Sequence, residues 1–244
     1  MPESSSIKKF PGKATAEAKP FVFINAAMSA DGKIATLERK QTRISGQLDF
    51  DRVDELKADS DAVMVGIGTI LSDNPSLTVK SLERREKRRS LGLFENPARI
   101  VVDSMARTPI DADIFKKGEG KRIIAVSESA PSVKVKELAN LADIIIAGNK
   151  KVDLEKLLIE LKHKGINRLM VEGGATLNWG LISKDLVDEI YTYIGNIVIG
   201  GRNAPTLVDG EGGIGDFCRL ILISCEKNED GVLIKWKVNK NKNE

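Results

Sequence analysis

Short β-branched runs alternate regularly with helix-compatible runs, and this restricts the chain more than any other feature. Phe21-Val22-Phe23-Ile24, Ala62 to Ile67, Arg99 to Asp103, Arg122 to Val126, Asp143 to Ala147 and Leu169-Met170-Val171 read as buried strands. Helical runs fall between them, at roughly 47–58, 68–71, 133–141 and 153–163. Neighbouring parallel strands need a crossover, usually a helix, so the pattern predicts an α/β fold: a mostly parallel sheet flanked by helices. Two closing strands, about 219–226 and 231–238, flank the turn sequence Asn228-Glu229-Asp230-Gly231 and add an antiparallel hairpin at one edge. No linker interrupts the chain after residue 20. The expectation is one domain over 20–240, preceded by a polar, flexible arm at 1–19 that contains Ser4-Ser5-Ser6 and Pro11-Gly12.

Finer features are also legible. Phe50, Val53 and Leu56 recur at spacing three and predict the buried face of the first helix, with Ser45 near its N-cap. Leu154, Leu157, Leu158 and Leu161 form an apolar stripe behind a capping Asp153. The run from Glu189 to Ile194 is expected to continue as strand through Ile197-Val198-Ile199 to Gly200-Gly201.

Composition excludes several classes. A net charge of +3 gives no electrostatic case for nucleic acid as main partner, and the basic segment Ser81 to Ser90 lacks the aromatic residues that stack on bases, so a solvated loop or helix is expected there. The single histidine, His163, sits between lysines and reads as a surface residue. Without a histidine–cysteine cluster, neither a zinc site nor a Ser-His-Asp triad can be assembled, and no metal is expected. Cys218 and Cys225 fit a reduced, cytoplasmic protein. No apolar run reaches membrane-spanning length, and no signal peptide is visible.

The chemistry concentrates after the strands. In Leu169 to Gly180, LMVEGGATLNWG, a strand ends at Val171, Glu172 follows, and Gly173-Gly174 lead into a helix at Ala175. Strand, paired glycines and helix start together offer free amides and a positive dipole end to a phosphate. A glycine-rich turn with no ligand is the alternative. Ala27 to Lys33, Gly66 to Asp73 and Asp103 to Arg107 each follow a predicted strand and are rich in Gly, Asp, Ser and Thr. Ligands of open parallel sheets bind beyond the carboxyl ends of the strands, so four such segments point to one site for a phosphate-bearing ligand.

Five stretches, AAMSADGK, VGIGTILSDNPSLTV, RIVVDSMARTP, VEGGATLNWG and LVDEIYTYIGNIVIGG, together resemble the riboflavin-biosynthesis reductase family, in order and over about residues 20–238. The similarity is greatest to its stand-alone archaeal and fungal-type branch, and the chain carries no deaminase zinc motif. The resemblance implies a dihydrofolate-reductase-like fold, NADPH as hydride donor, a homodimer, and a small phosphorylated pyrimidine as substrate, its ribosylamino group reduced to a ribitylamino group. A pterin or dihydrofolate reductase on the same fold is the alternative.

Residue by residue, the resemblance places Thr69, Asp73, Val101, Val102, Asp103, Ser104, Gly173, Gly174, Ala175 and Thr176 at the cofactor, with Ala27 and Arg43 near its nicotinamide half. Ser104 and Arg107 are candidates for the 2′-phosphate because a hydroxyl and a guanidinium suit it. Gln41, Ser45, Lys57, Leu77, Lys80 and Glu172 match substrate positions. Lys57 and Lys80 stand where bacterial relatives use arginine, keeping the charge and losing the bidentate fork. Asn25 replaces a bacterial lysine, a change that suits a substrate still carrying its exocyclic amino group at C2. Asp31 and Glu172 are the carboxylates expected nearest the reacting centre, as proton donor or as orienting groups, with a plain Asp-Gly turn the alternative for Asp31.

Overall fold

The computed structural model describes residues 18–38, 42–212 and 217–240. The expected Gln41 contact and nearly all of the 1–19 arm lie outside these residues. In chain order the elements are β1 (Phe21–Ser29), α1 (Gln47–Ala58), β2 (Ala62–Gly66), α2 (Ile67–Asp73), α3 (Leu82–Ser90), β3 (Ala98–Val102), α4 (Asp113–Lys116) and β4 (Arg122–Val126). They continue as α5 (Ser132–Ala139), β5 (Asp143–Ile146), α6 (Leu154–His163), β6 (Arg168–Val171), α7 (Ala175–Ile182), β7 (Glu189–Gly195), β8 (Arg219–Asn228) and β9 (Gly231–Asn239).

One nine-stranded sheet has the order β5-β4-β3-β2-β6-β1-β7-β9-β8. Every pairing from β5 to β7 is parallel, and β9 is antiparallel to both β7 and β8. This is the expected mixed, mostly parallel sheet with its closing hairpin. Strand alternation divides the core in two. Val22, Ile24, Met64, Leu169 and Val171 pack against the leucines of α6 and α7 on one face, and Phe23, Val63, Val65 and Met170 face α1, α2 and α5 on the other. Asp153 caps α6 as its sequence position implied, accepting from the amides of Glu155 and Lys156.

Three expectations change, each for a physical reason that bears on the site. The segment from Asn25 to Ser29, expected as loop, is strand: it pairs with β7, while β6 stops at Val171 opposite Ile24. One flank of β1 is therefore open beyond Ile24. The buried face of α1 runs through Asp49, Val53 and Leu56, not through Phe50, which is 44% exposed beneath the Arg43 guanidinium. Two acids, Asp49 and Asp54, are buried on this helix because it covers a polar cleft as well as core. Finally β7 ends at Gly195, where any side chain would strike the Ile44 carbonyl, and the chain leaves the sheet. The N-cap of α1 is Gly46, with no contribution from Ser45.

The basic segment forms α3, and its arginines are engaged within the chain. Arg84 pairs with Asp51 and Asp54, Arg85 and Arg89 meet Glu95, and Arg88 donates to the carbonyls of Ala58, Ser60 and Phe94. Among the described residues no helix is long and apolar enough to cross a membrane.

Candidate active site

The carboxyl ends of three adjacent strands, β6, β2 and β3, build the first half of the site. After β6 the chain passes Glu172 and turns at Gly173 (φ 114°) and Gly174 (φ 93°), conformations that side-chain-bearing residues rarely adopt. Gly173 accepts from the Gly66 amide at 3.1 Å, which ties the turn to the end of β2. A Cβ on Gly174 would lie 3.6 Å from both Gly66 Cα and Thr69 Oγ1, whereas one on Gly173 would project into open space. Gly174 caps α7 without a side-chain hydrogen bond, and the amides of the first turn, Ala175 and Thr176 included, have no carbonyl four residues behind them within the helix. The turn is therefore open to a ligand at Gly173. Val102 lies in register with Gly66, so the Val102–Arg107 turn neighbours it.

Within that turn the side chains are not equally available. Val101 is fully buried in the core and Val102 is packed against it, and both are paired with β2 on one side and β4 on the other. The Asp103 carboxylate is also fully buried: Oδ2 accepts from the Thr108 amide (2.7 Å) and hydroxyl (2.8 Å) and braces the turn, while Oδ1 has no hydrogen-bond partner among the described residues. Ser104 Oγ accepts from the Val152 amide at 3.0 Å and keeps its own proton to donate. Arg107 is exposed, its Nε 3.8 Å from Asp103 Oδ1. Thr69 is half-buried and Asp73 exposed, one turn apart on α2.

The second half lies on the α1 face of the sheet and begins at Glu172, the residue before the paired glycines. Its carboxylate meets Lys57 Nζ at 3.0 Å, with both side chains about 15% exposed (15% and 14%). Lys80 Nζ donates to Ser76 Oγ (3.0 Å) and Thr78 Oγ1 (2.9 Å). Burial, and then the nearby Lys57, hold the Lys80 ammonium below the usual lysine range, against opposing pulls from Asp54 and Glu172. The 80–81 backbone is fixed by Asp54, which accepts from the amides of Lys80 (2.5 Å) and Ser81 (3.0 Å). Leu77, at φ 54° and 3% exposed, anchors the preceding bend in the core. Ser45 is buried, Ala27 half-buried on β1, and Arg43 stacks over Phe50. Asn25, 7% exposed, sits on the open flank of β1, and its Oδ1 accepts from Arg52 Nη2 at 2.9 Å.

Asp31 has another task. Ser29 Oγ and the Ile199 amide donate to Oδ1 at 2.6 and 3.0 Å, and the Gly200 amide donates to Oδ2 at 2.7 Å. This also explains why the strand expected over 197–199 is absent, since those residues wrap the β1 loop. The Ser29 hydroxyl first, with the two amides, holds the Asp31 carboxyl down to about 2. Its folded pKa lies below the ordinary 3.8, so its stabilising effect is present above pH about 4 and is lost as pH falls toward 2. Asp31→Asn is expected to flatten that acid limb of the stability curve, which thermal melts across this pH range would show.

Arg52, Asp49 and Asp54 were not singled out from the sequence. Asp49 lies on the same helical stripe as Val53 and Leu56, but an acid on that stripe signals burial only with its Arg52 partner.

With this geometry in hand, the class is defined: the chain belongs to the RibD C-terminal domain family, whose profile matches residues 20–234. It is 53% identical over 193 residues to the 2,5-diamino-6-ribosylamino-4(3H)-pyrimidinone 5′-phosphate reductase of Archaeoglobus fulgidus, covering 79% of this chain and 88% of that protein. The reductase of the same description from Methanothermobacter thermautotrophicus is 47% identical over 194 residues, 80% of this chain and 86% of the other. The crystal structure of a pyrimidine reductase-like protein from Corynebacterium diphtheriae superposes with a TM-score of 0.78 at 18% identity, over 91% of this chain and 93% of that one, and shares the fold.

Proposed function

We propose that this chain reduces the ribosylamino group of a diaminopyrimidinone 5′-phosphate to the ribitylamino group, with NADPH as donor. One observation carries the reading: an open amide cradle at Gly173–Thr176 is joined directly, through Glu172, to a cleft holding two lysines. A dinucleotide pyrophosphate fits the cradle, and a phosphorylated sugar fits the cleft. The fit to the cofactor rests on Gly173, where a Cβ would occupy the space the phosphates need. Thr69 and Asp73 border the cradle, and Ser104 and Arg107 suit the 2′-phosphate. Bound there, the cofactor supplies hydride.

The chain's own residues do the rest. Lys57 and Lys80 together outweigh Glu172 in charge and hold the substrate phosphate. Glu172, ion-paired with Lys57, accepts from pyrimidine N–H groups, while Ser45 and Leu77 line the pocket. Opening of the furanose requires a proton at the ring oxygen. The Lys57 ammonium, 3.0 Å from Glu172, is the donor this reading assigns to it. The test is loss of reduced-nicotinamide absorbance when purified protein, NADPH and the phosphorylated pyrimidine are mixed. Turnover with this substrate and none with dihydrofolate supports the reading, and the reverse contradicts it.

A homodimer is part of the proposal. On the edge strand β8, four consecutive residues, Leu220, Ile221, Leu222 and Ile223, are each 39–53% exposed, so both faces of the strand present apolar surface. An uncovered apolar edge of this kind is an association surface. Light scattering is expected to give two chains for the natural protein and one for Ile221→Asp combined with Ile223→Asp.

A further inference from the structure

We infer that Arg52 is a positioning residue that locks the Asn25 amide with its N–H groups toward the pyrimidine, making this point of the cleft a hydrogen-bond donor. The inference rests on the substrate reading above and adds a polarity to it. Asn25 is one residue past the last β1–β6 pair, Ile24 with Val171, and the residue that follows β6 is Glu172. By strand alternation it shares the face of Phe23, which is the α1 side, so it belongs to the floor of the same cleft as Glu172.

From α1, Arg52 Nη2 donates to Asn25 Oδ1 at 2.9 Å and to Asp49 Oδ1 at 2.7 Å, while its Nε donates to the same Asp49 oxygen at 2.9 Å. Asp49 is 2% exposed and the Arg52 side chain 18%. A guanidinium has donors only, so the atom of Asn25 facing it must be the oxygen. With Oδ1 turned to Arg52, the side of Asn25 left for a ligand is its NH₂ group, with two donors. Its partner on the substrate is therefore an acceptor: the pyrimidinone carbonyl, an unprotonated ring nitrogen or a sugar oxygen. An exocyclic amino group is then received by the Glu172 carboxylate and not by Asn25, which reverses the expectation that Asn25 suits the amino group at C2.

Asn25→Asp separates this role from simple bracing of β1 on α1. A carboxylate accepts from Arg52 as well as the amide oxygen does, so the brace survives, but the donors are gone. Steady-state kinetics with the phosphorylated ribosylaminopyrimidinone are expected to show KM raised about tenfold or more, the loss of one hydrogen bond plus a repelled acceptor, with NADPH affinity within about twofold of the natural protein. Arg52→Lys, which replaces the planar fork with one ammonium nitrogen, is expected to fall between. Natural-level KM in Asn25→Asp would overturn the inference while leaving the reaction assignment intact, as would a parallel fall in NADPH and pyrimidine affinity in Arg52→Lys. An inert natural protein would instead remove the reaction assignment, and this inference with it.

Discussion

Gly173→Val is expected to weaken NADPH binding by on the order of 10²-fold or more, while the affinity for the phosphorylated pyrimidine changes little. Two effects combine. A β-branched residue at φ 114° costs about 1–3 kcal/mol of backbone strain, because that region suits glycine almost alone. The new side chain also fills the open space above the cradle and separates the phosphates from the amides. Each charge-assisted hydrogen bond lost is worth about 1.5–3 kcal/mol, so losing two suffices for the stated factor. Titration of reduced-nicotinamide fluorescence measures it. Unchanged affinity would mean that the dinucleotide lies elsewhere.

The second large effect is expected from the lysines. Lys57→Met and Lys80→Met should each raise KM for the 5′-phosphorylated substrate by about 10–150-fold, the worth of one charged hydrogen bond, and the double variant by more. The dephosphorylated nucleoside should be a poor substrate of the natural protein, and Lys80→Met should leave it no poorer. Stability divides the two. Lys57→Met leaves the Glu172 carboxylate, only 14% exposed, without its ion partner and should lower the melting temperature, whereas Lys80→Met leaves Ser76 and Thr78 bonded to each other at 2.9 Å and should lower it less. If neither lysine distinguishes phosphorylated from dephosphorylated substrate, the phosphate is held by other groups.

Much of this architecture was legible because local signals agreed. The leucine stripe and Asp153 cap of α6, the Asn-Glu-Asp-Gly turn of the hairpin and the Gly-Gly entry to α7 all stand where the residues placed them. Local pattern failed where tertiary pairing decided the outcome. Asn25 to Ser29 reads as a loop of small residues, yet β7 runs alongside and extends β1 through them. Spacing alone set Phe50 on the core side of α1, because a buried Asp49 is improbable until its Arg52 partner is known. The site shows the same division. The cradle is contiguous in sequence and could be read. The Lys57–Glu172 pair joins residues far apart in the chain, and nothing local announces it. Asp31 follows a core strand, and only the returning Ile199 and Gly200 amides show that it also clamps two loops together.

The central claim is that a dinucleotide's phosphates rest on the amides that follow Glu172. Amide chemical shifts followed by NMR while NADP is titrated in test it most directly. The largest movements are expected at Gly173, Gly174, Ala175 and Thr176, with Asn25 and Lys80 shifting only when the phosphorylated pyrimidine is added. Saturation that leaves the Gly173 and Gly174 amides in place would contradict the account.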